Sequence, residues 1–285
     1  MSEFVIVAET GSDISHEVAK RYGIELVPMH VNFAEGTRDD GSFEPEELYE
    51  SYKRTKKLPH TAGCSPQDFQ VVFDRIHAEK PEAQIVYLAY SAATTVSFES
   101  AHIAGEGRDY LTCIDTKSVS SGQGMVVRET CEWIAAHPDA TIDDVKTHVN
   151  GLIRRIRMAF IPGDLDYLRA GGRLSNTAYL GATLLRIKPV VEIEDGKLVA
   201  TEKDRGGLEK CIARLTERFV TREPMDLSRI FIIYTIGSAP NPVRKALVDG
   251  ILHRHGVQEI EWIKSGCVIA SHSGPNSFGI VGLAK

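Results

Sequence analysis

The feature that most limits the fold is a unit that recurs along the first half of the chain: a short apolar run, a polar turn with hydroxyl side chains, and a helical stretch. The apolar runs are Phe4 to Ala8, Ile85 to Ala89 and Leu111 to Ile114. Continuous apolar runs of this length are typical of strands buried on both faces, as in a parallel sheet covered by helices. The sequence therefore predicts an α/β fold, built on a doubly wound parallel sheet whose polar turns share one edge.

A different pattern begins after residue 157. The runs Pro189 to Ile193 and Lys197 to Thr201 flank Glu194-Asp195-Gly196 and predict a β-hairpin. A helix is predicted just before it, over Asn176 to Arg186. A hairpin among helices indicates an α+β arrangement with a mixed sheet. We therefore expect two domains in the 285 residues, a parallel α/β domain over 1–157 and a C-terminal α/β domain over 158–285.

The first functional candidate is His272. The run Val268 to Ala270 is predicted as a buried strand that delivers His272 to the Gly274-Pro275 turn. A polar side chain at a strand end that faces a loop is well placed to contact a small ligand. On spacing alone, however, a lone histidine between two serines is more typical of a turn residue bonded to the backbone.

Charge and cysteine content exclude several classes of protein. A net charge of −6 argues against nucleic acid as the main partner. The N-terminus enters a strand pattern without the segments of a signal peptide, and no apolar run reaches the ~18 residues of a membrane span. We therefore expect a soluble, cytoplasmic protein. Reduced thiols fit better than a disulfide framework, because the cysteines are odd in number and scattered: Cys64, Cys113, Cys131, Cys211 and Cys267.

The common catalytic motifs are missing from the chain. It has no phosphate loop of the form Gly-x-x-x-x-Gly-Lys-Ser/Thr, no His-Glu-x-x-His and no Gly-x-Ser-x-Gly nucleophile elbow. Gly122-Gln123-Gly124 is only a weak match to a dinucleotide fingerprint, because the third glycine is absent. No metal site and no cofactor is therefore predicted. A catalytic triad dispersed along the chain stays open, because it leaves no local signature.

Hydroxyl side chains at the strand-to-helix turns form the second group of candidates. Together with backbone N–H groups near helix N-termini, they are suited to hold an anion such as a carboxylate. Each has plain helix capping as its alternative, which is the commoner role of Ser and Thr. Arg173 follows two glycines, and this flexible presentation suits contact with a partner. An ordinary surface arginine is equally consistent with the pattern. The hydroxyl residues are Thr10, Thr61, Thr95 and Ser118.

Several stretches, in order and spacing together, resemble the DegV family, the fatty-acid-binding subunits of bacterial fatty acid kinase. The resemblance covers essentially the whole chain. Its most specific parts are Tyr167 to Ser175 followed by Lys188-Pro189, and Ser271 to Ile280, with support from Asp115 to Gly124 and Gly237 to Pro242.

The resemblance implies a binding role and no catalysis by this chain. One long-chain fatty acid is expected as its ligand, in a tunnel of the C-terminal domain, with the carboxylate held by Thr61, Thr95 and His272. Arg173 is expected to dock onto the kinase catalytic subunit, which uses ATP to make the acyl phosphate that feeds phospholipid synthesis. The family role is compatible with transient contact with a membrane surface. No contact with nucleic acid is expected.

The turns that carry the head-group residues depart from the family pattern. Thr61-Ala62-Gly63-Cys64-Ser65 replaces the usual Thr-Ser-x-Pro-Ser, and Thr94-Thr95-Val96-Ser97 replaces Leu-Ser-Gly-Thr. These changes alter the shape of the predicted head-group site. Two alternatives therefore stay open. The first is a stand-alone hydrolase or acyltransferase that uses Ser or Cys together with His272, and Cys64, close to Thr61 in the chain, is the candidate thiol. The second is a simple lipid carrier without a kinase.

Overall fold

The computed structural model describes residues 3–174, 187–237 and 240–285. Within these ranges no helix is both long and apolar enough to cross a membrane. The strands are β1 (Phe4–Glu9), β2 (Glu25–Val27), β3 (His30–Phe33), β4 (Gly36–Asp39), β5 (His60–Ala62), β6 (Gln84–Ala89), β7 (Leu111–Asp115), β8 (Ile156–Ile161), β9 (Ile187–Glu194), β10 (Lys197–Arg205), β11 (Arg229–Tyr234), β12 (Glu259–Lys264) and β13 (Phe278–Leu283). The helices are α1 (His16–Tyr22), α2 (Pro45–Thr55), α3 (Pro66–Glu79), α4 (Ser97–Ala104), α5 (Ser121–Ala136), α6 (Ile142–Arg155), α7 (Leu165–Gly171), α8 (Leu208–Thr221), α9 (Pro242–Arg254) and α10 (Cys267–Ser273).

The first sheet is parallel throughout and has helices on both faces. Its strand order is β2-β1-β6-β7. Alternate residues of β1 point to opposite faces: Val5 and Val7 pack against α3 through Phe73, while Ile6 packs on the side of α5 with Val126. The prediction of a doubly wound parallel sheet is confirmed, and the two central strands, β1 and β6, are buried on both faces as their continuous apolar runs indicate.

The second sheet is mixed and contains the predicted hairpin. Its order is β10-β9-β8-β13-β11-β12, with only the β11–β12 pair parallel. One face packs against α8 through Ile212 and Leu215, and the other shares a core with α5 through Phe231 and Val281. Helix α5 contacts strands of both sheets and so lies between them. The division into 1–157 and 158–285 stays a prediction.

Two arginines connect the sheets at one side of α5. Arg128 of α5 bonds to Glu261 of β12. Arg229 of β11 donates to Glu129 at 2.7 Å and to Glu132 at 3.0 Å, both on α5. In a buried or half-buried ion pair of this kind, moving one member away leaves the other charge without a compensating partner. The network therefore holds the edge of the mixed sheet against the helix that both sheets share.

A small antiparallel sheet, which the sequence did not predict, carries Thr61. Its order is β4-β3-β5, and Thr61 of β5 pairs with Val31 of β3. His30 of β3 bonds to Asp39 at 2.9 Å and to Asp68 of α3 at 3.0 Å. Partial burial lowers the His30 pKa, but the bonds to both carboxylates outweigh it and raise the pKa overall. The protonated imidazole therefore ties this sheet to α3.

The predicted strand at Val268 to Ala270 is wrong, because these residues belong to helix α10. Backbone N–H groups at the start of α10 donate to two buried carboxylates. Gly266 donates to Asp13 at 2.8 Å, and Cys267 donates to Asp40 at 2.7 Å. Carboxylates at a helix N-terminus stabilise it through the exposed N–H groups and the helix dipole. The helix predicted over 176–186 lies outside the described residues.

Candidate functional site

An apolar chamber lies where turns that follow strands of the parallel sheet meet the small sheet and the mixed sheet. About 800 Å³ in and around it is free of protein atoms, and part of that space is open to solvent. The wall comes from both halves of the chain, and its apolar side chains include Met29, Val119, Met158, Phe160, Leu168 and Ile233. The chamber therefore has the surface of a site for an apolar ligand.

All four predicted site residues line this chamber. They come from four separate elements: Thr61 from β5, Thr95 from the turn after β6, Arg173 from the segment after α7, and His272 from the last turn of α10. The fold brings them together although Thr61 and His272 are 211 residues apart in the chain. Their roles in binding stay predictions.

Thr61 and His272 form the central polar contact of the chamber. Thr61 Oγ1 lies 2.7 Å from His272 Nε2. The other ring nitrogen, Nδ1, is buried and has no hydrogen-bond partner among the described residues. A buried N–H without a partner is rare and destabilising, so the proton belongs on Nε2 and is donated to Thr61. The hydroxyl hydrogen of Thr61 is then available to a ligand in the chamber.

The protonation state of His272 follows from its surroundings. Burial lowers its pKa to about 4, and the positive charge of Arg173 and the nearby His60 act in the same direction. The imidazole keeps some surface toward the chamber, but protein surrounds it, so the charged form is poorly solvated. His272 is therefore neutral at physiological pH and acts as a hydrogen-bond donor, without a charge of its own.

The two glycines before Arg173 have separate structural reasons. A Cβ at Gly171 would overlap Nδ1 of His272, so only glycine lets α7 lie directly against the imidazole. Gly172 ends α7 in the left-handed conformation, with φ of 64°. The chain then turns to present Arg173, whose guanidinium donates to the carbonyl of Gly171 at 2.6 Å. Arg173 is exposed at the edge of the chamber.

The altered turns interlock around Thr95. Thr95 Oγ1 lies 3.1 Å from Ser97 Oγ, which in turn accepts from the backbone N–H of Cys64 at 3.1 Å. A Cβ at Gly63 would overlap the Thr95 hydroxyl, so glycine at this position allows the two turns to meet. Gly63 is thus matched to Thr95, one of the residues that depart from the family pattern.

Two of the hydroxyl candidates lie away from the chamber lining. Thr10 Oγ1 accepts from the backbone N–H of Met29 at 3.1 Å. The backbone N–H of Ser118 donates to Thr116 at 3.3 Å, within the turn itself. The Thr10 hydroxyl therefore connects its turn to the segment before β3, while the Ser118 bond involves its backbone and not its hydroxyl.

Sequence reasoning missed Asp13 and Ser120, which link the chamber wall to α10. Ser120 lines the chamber and donates to Asp13, while the other oxygen of Asp13 accepts from Gly266. Burial raises the pKa of Asp13 to about 7. The signal available in the sequence was an aspartate in the polar turn after β1, at the ligand-binding edge of the sheet.

Cys64 does not have the surroundings of a nucleophile. Its side chain is fully buried, and Sγ donates to the carbonyl of Pro28 at 3.2 Å. Burial raises the thiol pKa well above its ordinary value. Reactive cysteines have a lowered pKa and some exposure, so Cys64 lacks both properties. Within the described ranges, no three His, Cys, Asp or Glu side chains come together as a metal site would require.

Comparisons with known proteins agree over nearly the full chain. The family model described as "Uncharacterised protein, DegV family" matches residues 3–285. A DegV domain-containing protein of Caldanaerobacter subterraneus subsp. tengcongensis is 28% identical over 287 residues, covering 98% of each chain. The solved structure of a DegV family protein from Thermus thermophilus, described by its fatty acid binding, has a TM-score of 0.86 at 25% identity, covering 99% of this chain and 100% of that one.

A further solved structure has the same fold. DegV from Bacillus subtilis, described as a fatty acid binding protein, superposes with a TM-score of 0.85 at 22% identity over 100% of both chains. At this identity the likeness concerns the fold alone. Both alignments include the parallel and the mixed sheet, because they cover 99% and 100% of this chain.

We expect the His272 imidazole to stay neutral, with its proton on Nε2, down to about pH 5. Its pKa is about 4 in the folded chain against 6.5 for an unperturbed histidine. Between these values the unfolded chain binds the extra proton, so His272 lowers the free energy of unfolding as pH falls, by up to about 3 kcal/mol. Nitrogen-15 NMR of the imidazole rings measures both protonation and tautomer.

His30 is the internal control in the same spectra, because its pKa is raised and it should remain protonated above the pH at which an ordinary histidine loses its proton. A His272 resonance that titrates near pH 6.5, or one with the proton on Nδ1, would contradict the assignment.

Proposed function

The chain belongs to the DegV family, and on that premise we propose that it binds one long-chain fatty acid, with the acyl chain in the chamber and the carboxylate at Thr61, Thr95 and His272. The observation that carries the proposal is the Thr61–His272 pair, a neutral donor system in a largely apolar chamber. The fatty acid binding described for the Thermus relative supports the same class of ligand.

The apolar wall supplies most of the affinity. A C16 acyl chain has about 14 methylenes, and burying each contributes ~0.8 kcal/mol, which gives a gross gain near 11 kcal/mol before ordering costs. A hydrogen bond to the charged carboxylate adds only ~1.5–3 kcal/mol. The polar residues therefore select a carboxylate and fix which end of the ligand faces the exposed edge.

The head-group chemistry follows from the neutral imidazole. His272 Nε2–H donates to Thr61, and the Thr61 hydroxyl donates to a carboxylate oxygen; Thr95 offers a second hydroxyl. Bonds that end on an ionised acceptor are stronger than neutral ones. The exposed guanidinium of Arg173 nearby adds positive potential, so an anion is favoured over a neutral alcohol or ester.

We place the chemical step on a partner. Phosphorylation of a carboxylate needs ATP with its metal ions, and the sequence has no phosphate-binding loop. The proposed partner is the catalytic subunit of a fatty acid kinase, docked through Arg173, which makes the acyl phosphate that feeds phospholipid synthesis. Exposure of Arg173 beside the predicted carboxylate site supports a contact that positions the kinase at the reacting end.

The hydrolase alternative is weakened by the same geometry. The Thr61–His272 contact resembles a nucleophile–base pair, but such a base is normally oriented by a third group. Nδ1 of His272 has no partner among the described residues, and a pKa of about 4 makes the imidazole a weak base at neutral pH. The buried thiol of Cys64 is also unsuited to attack.

Replacing the Thr61 hydroxyl by a methyl group tests the binding proposal. We expect Thr61→Val to weaken the binding of palmitic acid about 10- to 150-fold, because a hydrogen bond to a charged group contributes ~1.5–3 kcal/mol. Titration calorimetry on delipidated protein measures the change. Thr37→Val, on the exposed strand β4 of the same small sheet, is the matched control and should bind like wild type. Unchanged affinity in Thr61→Val would contradict the head-group assignment.

Docking is tested by Arg173→Ala. We expect this variant to keep palmitate affinity within about threefold and to lose most acyl phosphate formation with the kinase subunit and ATP, measured by trapping with hydroxylamine. Truncation of an arginine at an interface hot spot reduces binding by ~2 kcal/mol or more, about 30-fold. Arg169→Ala, an exposed arginine one turn earlier on α7, is the control. Full activity of Arg173→Ala would contradict the docking role, and no acyl phosphate even with wild type would indicate a simple carrier.

A further inference from the structure

Gly279 lies in the chamber floor, as the second residue of the central strand β13. It is paired with Phe160 of β8 on one side and with Ile233 of β11 on the other. Residues directly opposite each other in adjacent strands share a face of the sheet, and all three line the chamber. The floor therefore lacks a side chain at Gly279, and the side chains of Ile233 and Phe160 close over this gap.

The backbone does not require glycine at this position. Gly279 is absent from the glycines with positive φ, and its strand is paired on both sides. Glycine weakens the interior of a strand because it has no side chain to pack and loses more conformational freedom than any other residue. A glycine in such a place often marks a close approach by a ligand or another backbone. At Gly279 the close approach is made by the side chains of Ile233 and Phe160, on the chamber side of the sheet.

The atoms around the gap show what a side chain would do. A Cβ at Gly279 would lie 3.3 Å from Ile233 Cδ1 and 3.3 Å from Phe160 Cβ, with no polar atom among its nearest neighbours. Contacts this short force the neighbours to move by a few tenths of an ångström. Since strand pairing fixes the backbones, the side chain of Ile233 would have to move toward the chamber. A single added methyl group therefore reduces the chamber volume both by its own size and by displacing Ile233.

We infer that Gly279 determines how long an acyl chain the chamber accepts. The inference rests on the proposed function, because it needs a fatty acid in the chamber. A side chain at Gly279 displaces Ile233, which lines the chamber, so it acts on the space for the acyl chain. A smaller chamber buries fewer methylene groups of a long chain, while a short chain still fits.

The test compares affinities for saturated fatty acids from lauric to stearic acid on delipidated protein. Gly279→Ala should lower the affinity for stearic acid relative to lauric acid by about fourfold for each methylene that no longer fits. Ile233→Val removes the Cδ1 atom over the gap, so it should raise that ratio. The double variant should return close to the wild-type ratio, because the new methyl group takes the vacated space.

Gly282→Ala is the matched control on the same strand. Gly282 points to the opposite face, where a Cβ would meet Ile230 and Met225. This variant should lower thermal stability without changing the stearate-to-laurate ratio. Ile233→Val alone keeps the inference testable if Gly279→Ala does not fold.

The outcomes separate the two claims. If wild type binds the acids and the ratio is the same in Gly279→Ala or in Ile233→Val, the inference about Gly279 is overturned and the proposed function stands. If wild type binds none of the acids, the proposed function fails and the inference fails with it. A ratio that falls with Gly279→Ala and recovers in the double variant supports both.

Discussion

The hydrogen bond between Thr61 and His272 is the interaction on which the candidate site depends. It joins a small sheet in the first half of the chain to helix α10 near its end. Two features make it possible: Gly171 leaves room for the imidazole, and burial keeps that imidazole neutral. A charged His272 would lose its solvation, and a side chain at position 171 would displace it, so both conditions are needed for the Thr61 hydroxyl to face the chamber.

The position of α10 is fixed at its other end by buried carboxylates. Asp13 and Asp40 accept the first N–H groups of the helix, and Asp13 also accepts from Ser120 in the chamber wall. A short helix has little stability of its own and relies on such tertiary contacts. The chamber lining, the start of α10 and the imidazole at its end thus belong to one connected set of contacts.

The sequence predicted those parts of the fold in which the residue types themselves indicate burial. The runs Phe4 to Ala8 in β1 and Ile85 to Ala89 in β6 are apolar throughout, as is typical of strands covered on both faces. The strand prediction for Val268 to Ala270 was wrong because three apolar residues suit a strand and a helix equally. The carboxylates that accept the first N–H groups of α10 are distant in sequence, so no local pattern indicated the helix. The small sheet was missed because β4 is fully exposed and carries no apolar pattern. For the site, residue types and family resemblance identified Thr61 and His272, but only the fold shows that they touch.

The most direct test of the central claim is native mass spectrometry of the protein as purified from bacteria, followed by denaturation and extraction of the bound molecule. We predict one long-chain fatty acid per chain, lost on denaturation and recovered as the free acid. A protein that carries no ligand and also rejects added fatty acids would contradict the claim that the chamber is an acyl site.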